Sequence, residues 1–436
     1  MNVILLSGGS GKNLWPLSND IHSKQFIKLF KTQVGQNESM IQRINRQVRL
    51  VDPKAEITVA TSKSQASTVI NQLGSRVGIS AEPERRNTFP AVVLALEYLK
   101  DVKGVKPSEP IIVCPVDIYV EDALFFELKK LYESINEKTG ILMLGSKPKK
   151  AVSQYGYILP KSKEKWSEVK SFTEKPSEEE AKKLISKGAL WNVGAFAFQM
   201  KYLLEVAHKR INYQGYDDLF NHYSSLPIES FDTIVKSGEV SCSVMCSKYS
   251  LNDLGNWESL MNATQQKIIG KAIVSDSCKD VNVVNDMDVP ILAVGMENTV
   301  IAASQQGILV IPKDGKESIE QYVDRISHQV MFADKSWGSM KVLDVDDQSM
   351  TLHLYINAGK RMSYHSHAHR DEMWTILSGK GRTIVDGMEQ SVQAGDVITM
   401  EKGCRHTIIA DTDVELIEIQ RGSEINIKDK KKYELE

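Results

Sequence analysis

The chain has 436 residues, of which 42% are hydrophobic, so it is long enough for two or three domains that each bury a core. Its 54 lysine and arginine residues nearly balance its 56 aspartate and glutamate residues, and the net charge of −2 excludes an electrostatic footprint for nucleic acid. No apolar run approaches the roughly 20 residues that span a bilayer, and the start MNVILLSGG is typical of a first strand rather than a signal peptide. Five scattered cysteines favour free thiols in a reducing compartment, so we expect a cytoplasmic protein without membrane or nucleic-acid partners.

The first region, up to residue 265, alternates short apolar runs with segments of helical periodicity. The clearest strand signals are residues 3–6, 56–61, 110–117 and 140–146, and the clearest helix signals are residues 89–99 and 123–137. A strand–helix–strand order is typical of a parallel sheet with helices on both faces, and continuously apolar strands agree with that burial. The sequence therefore predicts an α/β domain with a mostly parallel sheet over residues 1–265.

Two further regions follow, and both are rich in strand signals. Residues 266–333 read as a short β-rich linker segment with the strand-like runs NTVIAAS and GILVIP, followed by a predicted helix over residues 317–329. Residues 334–436 repeat strand after strand with Gly and Asp at the turns, which is typical of a β-sandwich or barrel. The polar tail KDKKKYELE, residues 428–436, predicts a solvated end of the chain.

The first predicted strand leads into the glycine-dense turn SGGSGK. A Walker A loop would need glycine in place of Leu6 and serine or threonine in place of Asn13, and a dinucleotide fingerprint would need glycine in place of Leu14. The backbone N–H groups of such a turn can face an anion, so the turn is a candidate phosphate cradle. The alternative is that these glycines form only a tight turn after a strand.

Seven ordered sequence blocks resemble the sugar-nucleotide pyrophosphorylases, and most closely the bacterial mannose-1-phosphate guanylyltransferases. The blocks are GGSGKNLWPLS with SKQF, EPERRNTFPA, PVD, YGYI, FTEKP, WNVGAFAF and NDLGNWESL. The resemblance implies a Rossmann-like nucleotidyltransferase domain that joins a nucleoside triphosphate to a sugar 1-phosphate and releases pyrophosphate. It further implies GTP, mannose 1-phosphate and the product GDP-mannose, a precursor of surface polysaccharide.

The resemblance also implies roles for residues of these blocks. Lys24 would neutralise the triphosphate, and Asp117 and Asp253 match the two aspartates that hold Mg²⁺ in the family. The nucleotide-binding positions are Gly8, Gly9, Ser10, Gly11, Glu82, Asn87 and Thr88, and the sugar-phosphate positions are Gly156, Glu174, Lys175 and Asn192. Magnesium takes one or two carboxylates together with phosphate oxygens and waters, so two aspartates suit it. Each aspartate alone could instead be an ordinary turn residue after a strand.

The chain departs from the family pattern at three places. Asn13 stands where the family has an arginine, and an amide cannot supply the fixed positive charge that a guanidinium brings to phosphates. Ser23 replaces the proline before Lys24, and the block around the first aspartate reads PVDIYVED. Two alternatives therefore stay open: a degenerate, non-catalytic regulator that binds sugar nucleotides, and a pyrophosphorylase with a different base or sugar.

A second strong pattern, GKRMSYHSHAHRDEMWTILSG over residues 359–379, fits the motif of the cupin β-barrels. Residues two apart in a strand face the same side, so His365 and His367 can both point into the barrel. Glu372 and His406 would complete a site of three histidines and one carboxylate, which suits Zn²⁺, Fe²⁺, Mn²⁺, Co²⁺ or Ni²⁺. For His369, the roles of ligand, substrate contact and spectator are all open.

Longer members of the resembled family carry a cupin similar to the type II phosphomannose isomerases, and the matching stretches here are SWGSMKVLD, HRDEMW and LIEIQRG. That similarity implies interconversion of mannose 6-phosphate and fructose 6-phosphate. Those isomerases continue with an acidic segment that carries an arginine, whereas this chain continues SEINIKDKKKYELE. An isomerase and a metal-bearing cupin that binds sugar without turnover are therefore both retained. We also expect a homo-oligomer, most simply a dimer.

Overall fold

A computed structural model describes residues 1–9, 14–19, 21–32, 34–254, 257–315, 318–326, 329–425 and 429–435, without the side chains of residues 252 and 253. The chain divides into two compact units, one of residues 1–10 and 23–266 and one of residues 11–22 and 267–436. Within the described ranges, no helix has both the length and the apolar character that a membrane crossing requires.

The first unit combines strands and helices. Its strands are β1 (Asn2–Ser7), β2 (Phe30–Lys31), β3 (Asn37–Glu38), β4 (Glu56–Ser62), β5 (Gly78–Glu82), β6 (Pro110–Pro115), β7 (Ile118–Tyr119), β8 (Ile141–Ser146), β9 (Tyr157–Pro160), β10 (Trp166–Thr173), β11 (Leu190–Gln199), β12 (Cys242–Ser247) and β13 (Asn252–Asp253). Its helices are α1 (Met40–Val51), α2 (Ala66–Leu73), α3 (Thr88–Glu97), α4 (Leu124–Glu133), α5 (Glu178–Ser186), α6 (Met200–Arg210), α7 (Gly215–Asn221), α8 (Phe231–Lys236) and α9 (Trp257–Thr264). Short 3-10 helices lie at Lys24–Phe26 and Tyr223–Ser225, and a π-helical turn at Tyr98–Val102.

One nine-stranded sheet organises this unit, in the order β5-β4-β1-β6-β11-β8-β12-β10-β9. β1 is parallel to both β4 and β6, and only β10 and β11 run against the other strands of this sheet. The predicted α/β class with a mostly parallel sheet is therefore confirmed. Every strand and helix signal named above for this region lies on an element of the predicted type, although α4 ends at Glu133 rather than at residue 137.

Both faces of the sheet are buried. Alternation along β1 sends Ile4 into one core and Val3 and Leu5 into the other. The first core contains α3, whose buried residues surround the helix on all sides, and the second contains the apolar faces of α1 and α4. α1 begins with a capping box, in which the Ser39 hydroxyl accepts from the Gln42 N–H and the Gln42 side chain accepts from the Ser39 N–H.

The second unit consists mainly of strands. They are β14 (Ile268–Ile269), β15 (Ala272–Val274), β16 (Lys279–Asn285), β17 (Ile291–Ala293), β18 (Glu297–Ser304), β19 (Gly307–Pro312), β20 (Phe332–Lys335), β21 (Gly338–Val345), β22 (Ser349–Ile356), β23 (His365–Ser366), β24 (Arg370–Ser378), β25 (Lys380–Val385), β26 (Met388–Gln393), β27 (Val397–Met400), β28 (His406–Ala410), β29 (Val414–Gly422) and β30 (Lys431–Lys432), with the helix α10 (Glu320–Val323) before β20.

The first strands of this unit form a sheet of order β14-β16-β18-β19 and a parallel pair of β15 with β17. The helix predicted over residues 317–329 is wrong in extent, because the described part of that stretch is helical only over Glu320–Val323. α10 buries none of its residues, so no packed apolar face stabilises a longer helix there.

The strands from β20 onward form two sheets, β20-β21-β22-β29-β24-β27 and β26-β25-β28-β23-β30. Their shared core contains Trp374 from the first sheet and Ile408 from the second, and the predicted sandwich or barrel is confirmed.

The predicted solvated tail is wrong in part: Lys431, Lys432 and Glu434 are exposed, but the described tail also pairs with a strand and buries one residue. Lys431 and Lys432 pair with β23 as an added strand, and Asp429 is buried. The tail is polar, so its hydrophobicity does not predict burial. Hydrogen bonds to its backbone and to the Asp429 carboxylate compensate for the loss of contacts with water.

Candidate active site and metal centre

The candidate phosphate site lies at the carboxyl end of β1. β4 and β5 follow β1 on one side of it, and the chain then crosses over to add β6 on the other side, so the strand order reverses at β1. In open α/β sheets, ligands bind outside the carboxyl ends of the strands at such a switch point. The predicted nucleotide positions Gly8 and Gly9 lie there, directly after β1, whereas Ser10 and Gly11, like Asn13, lie outside the described residues.

Buried polar side chains hold the start of this turn. The Ser23 hydroxyl donates to the Gly9 carbonyl oxygen over 3.0 Å, and the Gln65 amide donates to the same oxygen over 3.3 Å. The Gln25 amide donates to the Ser7 hydroxyl over 3.3 Å. Because Ser23 and Gln65 donate to the carbonyl oxygen of Gly9, protein groups hold the described start of the turn, Gly8 and Gly9.

Lys24 and Asp117 meet at the same edge of the sheet. Lys24 begins the first 3-10 helix, and Asp117 lies between β6 and β7. Lys24 Nζ is 2.9 Å from Asp117 Oδ2, and 11% of the Lys24 side chain and 41% of the Asp117 side chain are exposed. The charge of Lys24 lowers the pKa of Asp117, so this partly exposed carboxylate is ionised at neutral pH and can take a cation.

The backbone also brings Asp253 to this edge. β13 pairs antiparallel with β7, and Asp253 lies opposite Ile118, the residue after Asp117. Paired residues of an antiparallel ladder have Cα atoms roughly 4.5–5.5 Å apart. The ladder between β7 and β13 therefore brings the backbones of Asp117 and Asp253, the two aspartates predicted to hold Mg²⁺, close together in space. The Asp253 side chain lies outside the described part of the chain.

Glu82 closes the site on the side of β5. A Cβ atom placed on Gly8 would lie 3.7 Å from Glu82 Oε1, so the carboxylate adjoins the turn. Glu82 is buried and accepts a hydrogen bond from the Tyr223 hydroxyl over 2.8 Å. Burial raises the pKa of the Glu82 carboxyl.

The other two predicted nucleotide positions start α3 and make hydrogen bonds within the protein. The Asn87 side chain accepts from the Thr88 N–H over 2.8 Å and caps the helix. The Thr88 hydroxyl accepts from the Phe231 N–H, also over 2.8 Å. These contacts join the start of α3 to the start of α8, so both residues have a structural role whether or not they contact a nucleotide.

Three of the four predicted sugar-phosphate positions form a second cluster. A Cβ atom on Gly156 would lie 2.7 Å from Glu174 Oε2, so the Glu174 carboxylate lies directly against Gly156. The Asn192 N–H donates to the Gly156 carbonyl oxygen over 2.8 Å. Lys175 follows Glu174 in a left-handed conformation with φ of 44°. Burial raises the pKa of Glu174, and the charge of Lys175 opposes that effect.

Sequence reasoning missed Asp232 in this cluster. Its Oδ1 accepts from the Asn192 side-chain amide over 2.9 Å, and burial, followed by the charge of Glu174, raises its pKa to about 7. Aspartate in the first turn of a helix is so common that its presence in SFDTIV gives no functional signal. Gln25 and Gln65 were missed for a similar reason, since an uncharged side-chain amide rarely indicates a site in a sequence.

The cupin histidines and glutamate form a compact donor set. The ligand atoms of His365, His367, Glu372 and His406 all lie within 4.8 Å of one another, and all four residues are about 2% exposed. β23 and β28 place His365 directly opposite His406, and β24 supplies Glu372. The structure thus brings together the four residues that the sequence singles out as candidate metal ligands.

The outer nitrogen of each histidine ring lies beside a backbone carbonyl. The Nδ1 atoms are 2.6 Å from Ser363 O for His365, 2.7 Å from Asp429 O for His367 and 3.0 Å from Cys404 O for His406. A proton on Nδ1 leaves Nε2 as the free ligand atom, which is the usual arrangement around a metal. Burial lowers the pKa of His365 to about 2, so its ring is neutral, as a ligand must be.

Glu372 joins this set as an ionised group. Its Oε1 is 3.1 Å from His367 Nε2, and its Oε2 is 3.0 Å from His406 Nε2. Burial opposes ionisation, but the nearby His367 and His406 rings outweigh it and keep the pKa of Glu372 well below its usual range. Hydrogen bonds at Nε2 require a proton there, and a bound metal would take the place of that proton. A donor set of three imidazole nitrogens and one carboxylate fits a divalent transition metal. His369 is exposed and lies outside this set.

The C-terminal segment covers one side of the donor set. The Asp429 carboxylate accepts from the Ala368 N–H over 2.9 Å and from the His369 N–H over 3.2 Å. Its backbone carbonyl is the partner of His367, and its Oδ2 lies 3.7 Å from the Arg370 guanidinium. A residue from the predicted solvated tail therefore orients a metal ligand.

Comparisons with known proteins assign a family to each part of the chain. Residues 2–268 match the nucleotidyl transferase family, and residues 352–419 match the cupin domain. The first match covers more than half of the chain, so the chain belongs to the nucleotidyl transferase family, with a cupin domain at its C-terminal side.

Relatives align over nearly the full length. The chain is 28% identical to the xanthan biosynthesis protein XanB of Xanthomonas campestris, over 99% of this chain and 97% of that protein. It is 24% identical to a mannose-1-phosphate guanylyltransferase of Klebsiella pneumoniae, over 96% of each chain. The crystal structure of a mannose-1-phosphate geranyltransferase from Thermus thermophilus aligns with a TM-score of 0.60 and 25% identity, over 74% of this chain and 98% of that one.

Proposed function

We propose that this protein is a Mg²⁺-dependent sugar-1-phosphate nucleotidyltransferase that makes GDP-mannose and pyrophosphate from GTP and mannose 1-phosphate. The observation that carries the proposal is the Lys24–Asp117 pair beside the turn after β1, with the backbone of Asp253 one register position away. The guanylyltransferase relatives support the choice of guanine and mannose, and the xanthan relative supports a role in polysaccharide synthesis.

The reaction needs two anions to meet in one orientation. An oxygen of the sugar 1-phosphate attacks the α-phosphorus of the triphosphate, the bond from that phosphorus to the bridging oxygen breaks, and pyrophosphate leaves with the electron pair. Because phosphoryl transfer needs little covalent help from the protein, catalysis is mainly alignment and charge neutralisation.

The chain's own residues divide this work. The backbone after β1 would bind the phosphates, and Lys24 would neutralise their charge beside Asp117. Glu174 and Asn192 would hold the sugar, and Lys175 would face its phosphate. Asp117 and Asp253 would hold Mg²⁺, which when bound supplies further neutralisation between the two substrates.

The direct test is a matrix of common nucleoside triphosphates against a panel of sugar 1-phosphates, with pyrophosphate release as the readout. The proposal expects release that depends on Mg²⁺ and is fastest with GTP and mannose 1-phosphate. A faster pair would identify the alternative pyrophosphorylase with another base or sugar. Binding without turnover for all pairs would establish the alternative regulator, and in that case Asn13→Arg tests whether the missing positive charge is the cause.

For the cupin domain we propose a bound divalent transition metal and, as a second activity, interconversion of mannose 6-phosphate and fructose 6-phosphate. The support is the buried set of three histidines and one glutamate with its oriented rings. Metal analysis of wild type and His365→Ala, together with an isomer assay, separates the possibilities. Isomerisation that disappears with the metal supports the isomerase, and metal without isomerisation supports a sugar-binding cupin. We also propose a homodimer, which light scattering of the intact protein tests.

A further inference from the structure

Asp232 fixes the side chain of Asn192 from one side. Asp232 Oδ1 accepts from Asn192 Nδ2 over 2.9 Å, and Asn192 Oδ1 accepts from the Gly194 N–H over 3.0 Å. Because one contact requires the amide nitrogen and the other requires the amide oxygen, together they determine which way this amide points.

The position of Asp232 is itself set by the fold. Asp232 is the second residue of α8, and the first residue, Phe231, donates its N–H to the Thr88 hydroxyl over 2.8 Å. Two residues earlier, the Glu229 carbonyl oxygen accepts from the Phe89 N–H over 3.0 Å. The start of α8 is thus anchored on the start of α3, and Asp232 has its place without a ligand.

Three charged side chains, from the segment after β10 and from α8, face the Asp232 carboxyl or the neighbouring Glu174. Glu174 and Lys175, which follow β10, both act on Asp232, and Lys236 of α8 acts on Glu174. Asp232 is half-buried and Glu174 is exposed beside it, and two neighbouring carboxyls oppose each other's ionisation. Burial, followed by the charge of Glu174, raises the pKa of Asp232 to about 7.

We propose that Asp232 is a positioning residue for the sugar 1-phosphate: it holds the Asn192 amide so that Asn192 and Glu174 present a fixed pair of polar groups to the hydroxyls of the pyranose. This inference rests on the proposed function. Sugar hydroxyls both donate and accept, so a carboxylate beside an oriented amide recognises them through complementary hydrogen bonds, and an amide free to rotate does so less well.

The test compares Asp232→Ala with Asp232→Asn and with the matched control Asp217→Asn, an exposed aspartate in the first turn of α7. Asp232→Ala should raise the KM for mannose 1-phosphate about tenfold, the effect of losing one hydrogen bond to a charged group. The KM for GTP and kcat should change less than about twofold. Asp232→Asn keeps an acceptor oxygen and should recover most of the loss, and Asp217→Asn should match wild type.

A pH series supplies a readout that a merely structural role would not move. Above pH 7 the ionised Asp232 adds a second negative charge beside Glu174, which opposes an anionic substrate. The KM for mannose 1-phosphate should therefore rise between pH 6 and pH 8 more steeply in wild type than in Asp232→Asn. Ionisation of the substrate itself is common to both proteins and cancels in the comparison.

An unchanged sugar KM in folded Asp232→Ala, or equal effects on both KM values, would overturn the inference. If Asp232→Ala does not fold, parallel pH profiles of wild type and Asp232→Asn would overturn it instead. Calorimetry with mannose 1-phosphate separates this inference from the proposed function. If the protein shows no turnover but binds mannose 1-phosphate, and Asp232→Ala weakens that binding about tenfold, the inference holds and the proposed function fails. If the wild-type protein does not bind mannose 1-phosphate, both the inference and the proposed function fail.

Discussion

The two sites of this protein are built in opposite ways. The candidate transferase site collects residues from Gly8 to Asp253, and its Lys24–Asp117 pair is partly open to solvent. The cupin site collects its ligands within residues 365–406 and buries all of them. A site that must admit two charged substrates needs an open edge with accessible counter-charges, whereas a site that keeps one ion needs a closed set of oriented donors.

The largest effect is expected at the open site. Replacing Lys24 by alanine removes the cation beside Asp117, and we expect kcat for pyrophosphate release to fall roughly 100- to 1000-fold, as when one group that stabilises transition-state charge is lost. The exposed Lys28 is the matched control, and Lys28→Ala should retain wild-type kcat. Near-normal turnover in Lys24→Ala would place the chemistry elsewhere.

The closed site should lose its metal when a ligand is removed. His365→Ala or Glu372→Gln leaves three donors, and we expect elemental analysis to find little metal in either purified variant. The exposed His369 is the control, and His369→Ala should keep the metal content of wild type. Full metal content in both ligand variants would contradict the assignment of the donor set.

A smaller effect is expected from the C-terminal segment. Asp429→Ala removes the acceptor of the Ala368 and His369 N–H groups and loosens the carbonyl that orients His367, so metal affinity should fall about 10- to 100-fold. Chelator competition measures this, with the exposed Glu434→Ala as control. Unchanged affinity would mean that β23, β24 and β28 hold the ligands in place without the C-terminal segment.

The smallest effect concerns the helix that begins beside the open site. Asn87→Ala removes the cap of α3 and should lower the free energy of unfolding by about 1 kcal/mol, while Asn87→Gly, which suits the left-handed φ of 70°, should cost less. Denaturant titration measures the free energy of unfolding of both variants. The KM for GTP tests separately whether Asn87 contacts the nucleotide. A raised KM in both variants supports the predicted contact with the nucleotide, and an unchanged KM leaves Asn87 as a cap alone.

The same contrast explains what could be predicted from sequence. The cupin ligands follow from a local motif and the alternation of side chains along a strand, so all four were named in advance. In the transferase unit, apolar periodicity predicts β1, β6 and α3, but the pairing of Asp253 with Ile118 depends on long-range register that no local pattern contains. Asp232 and Asp429 escaped prediction because an aspartate at a helix start or in a charged tail is usually solvated, and only the fold brings each one to a site.

The most direct test of the account is the position of a divalent cation at the open site. Crystals of the intact protein with Mn²⁺, a poorly hydrolysed GTP analogue and mannose 1-phosphate would locate the cation by anomalous scattering. The account predicts a peak at coordination distance from the Asp117 carboxylate, with the phosphates of the nucleotide against the turn after β1. A nucleotide bound away from that turn, with no anomalous peak beside Asp117, would contradict it.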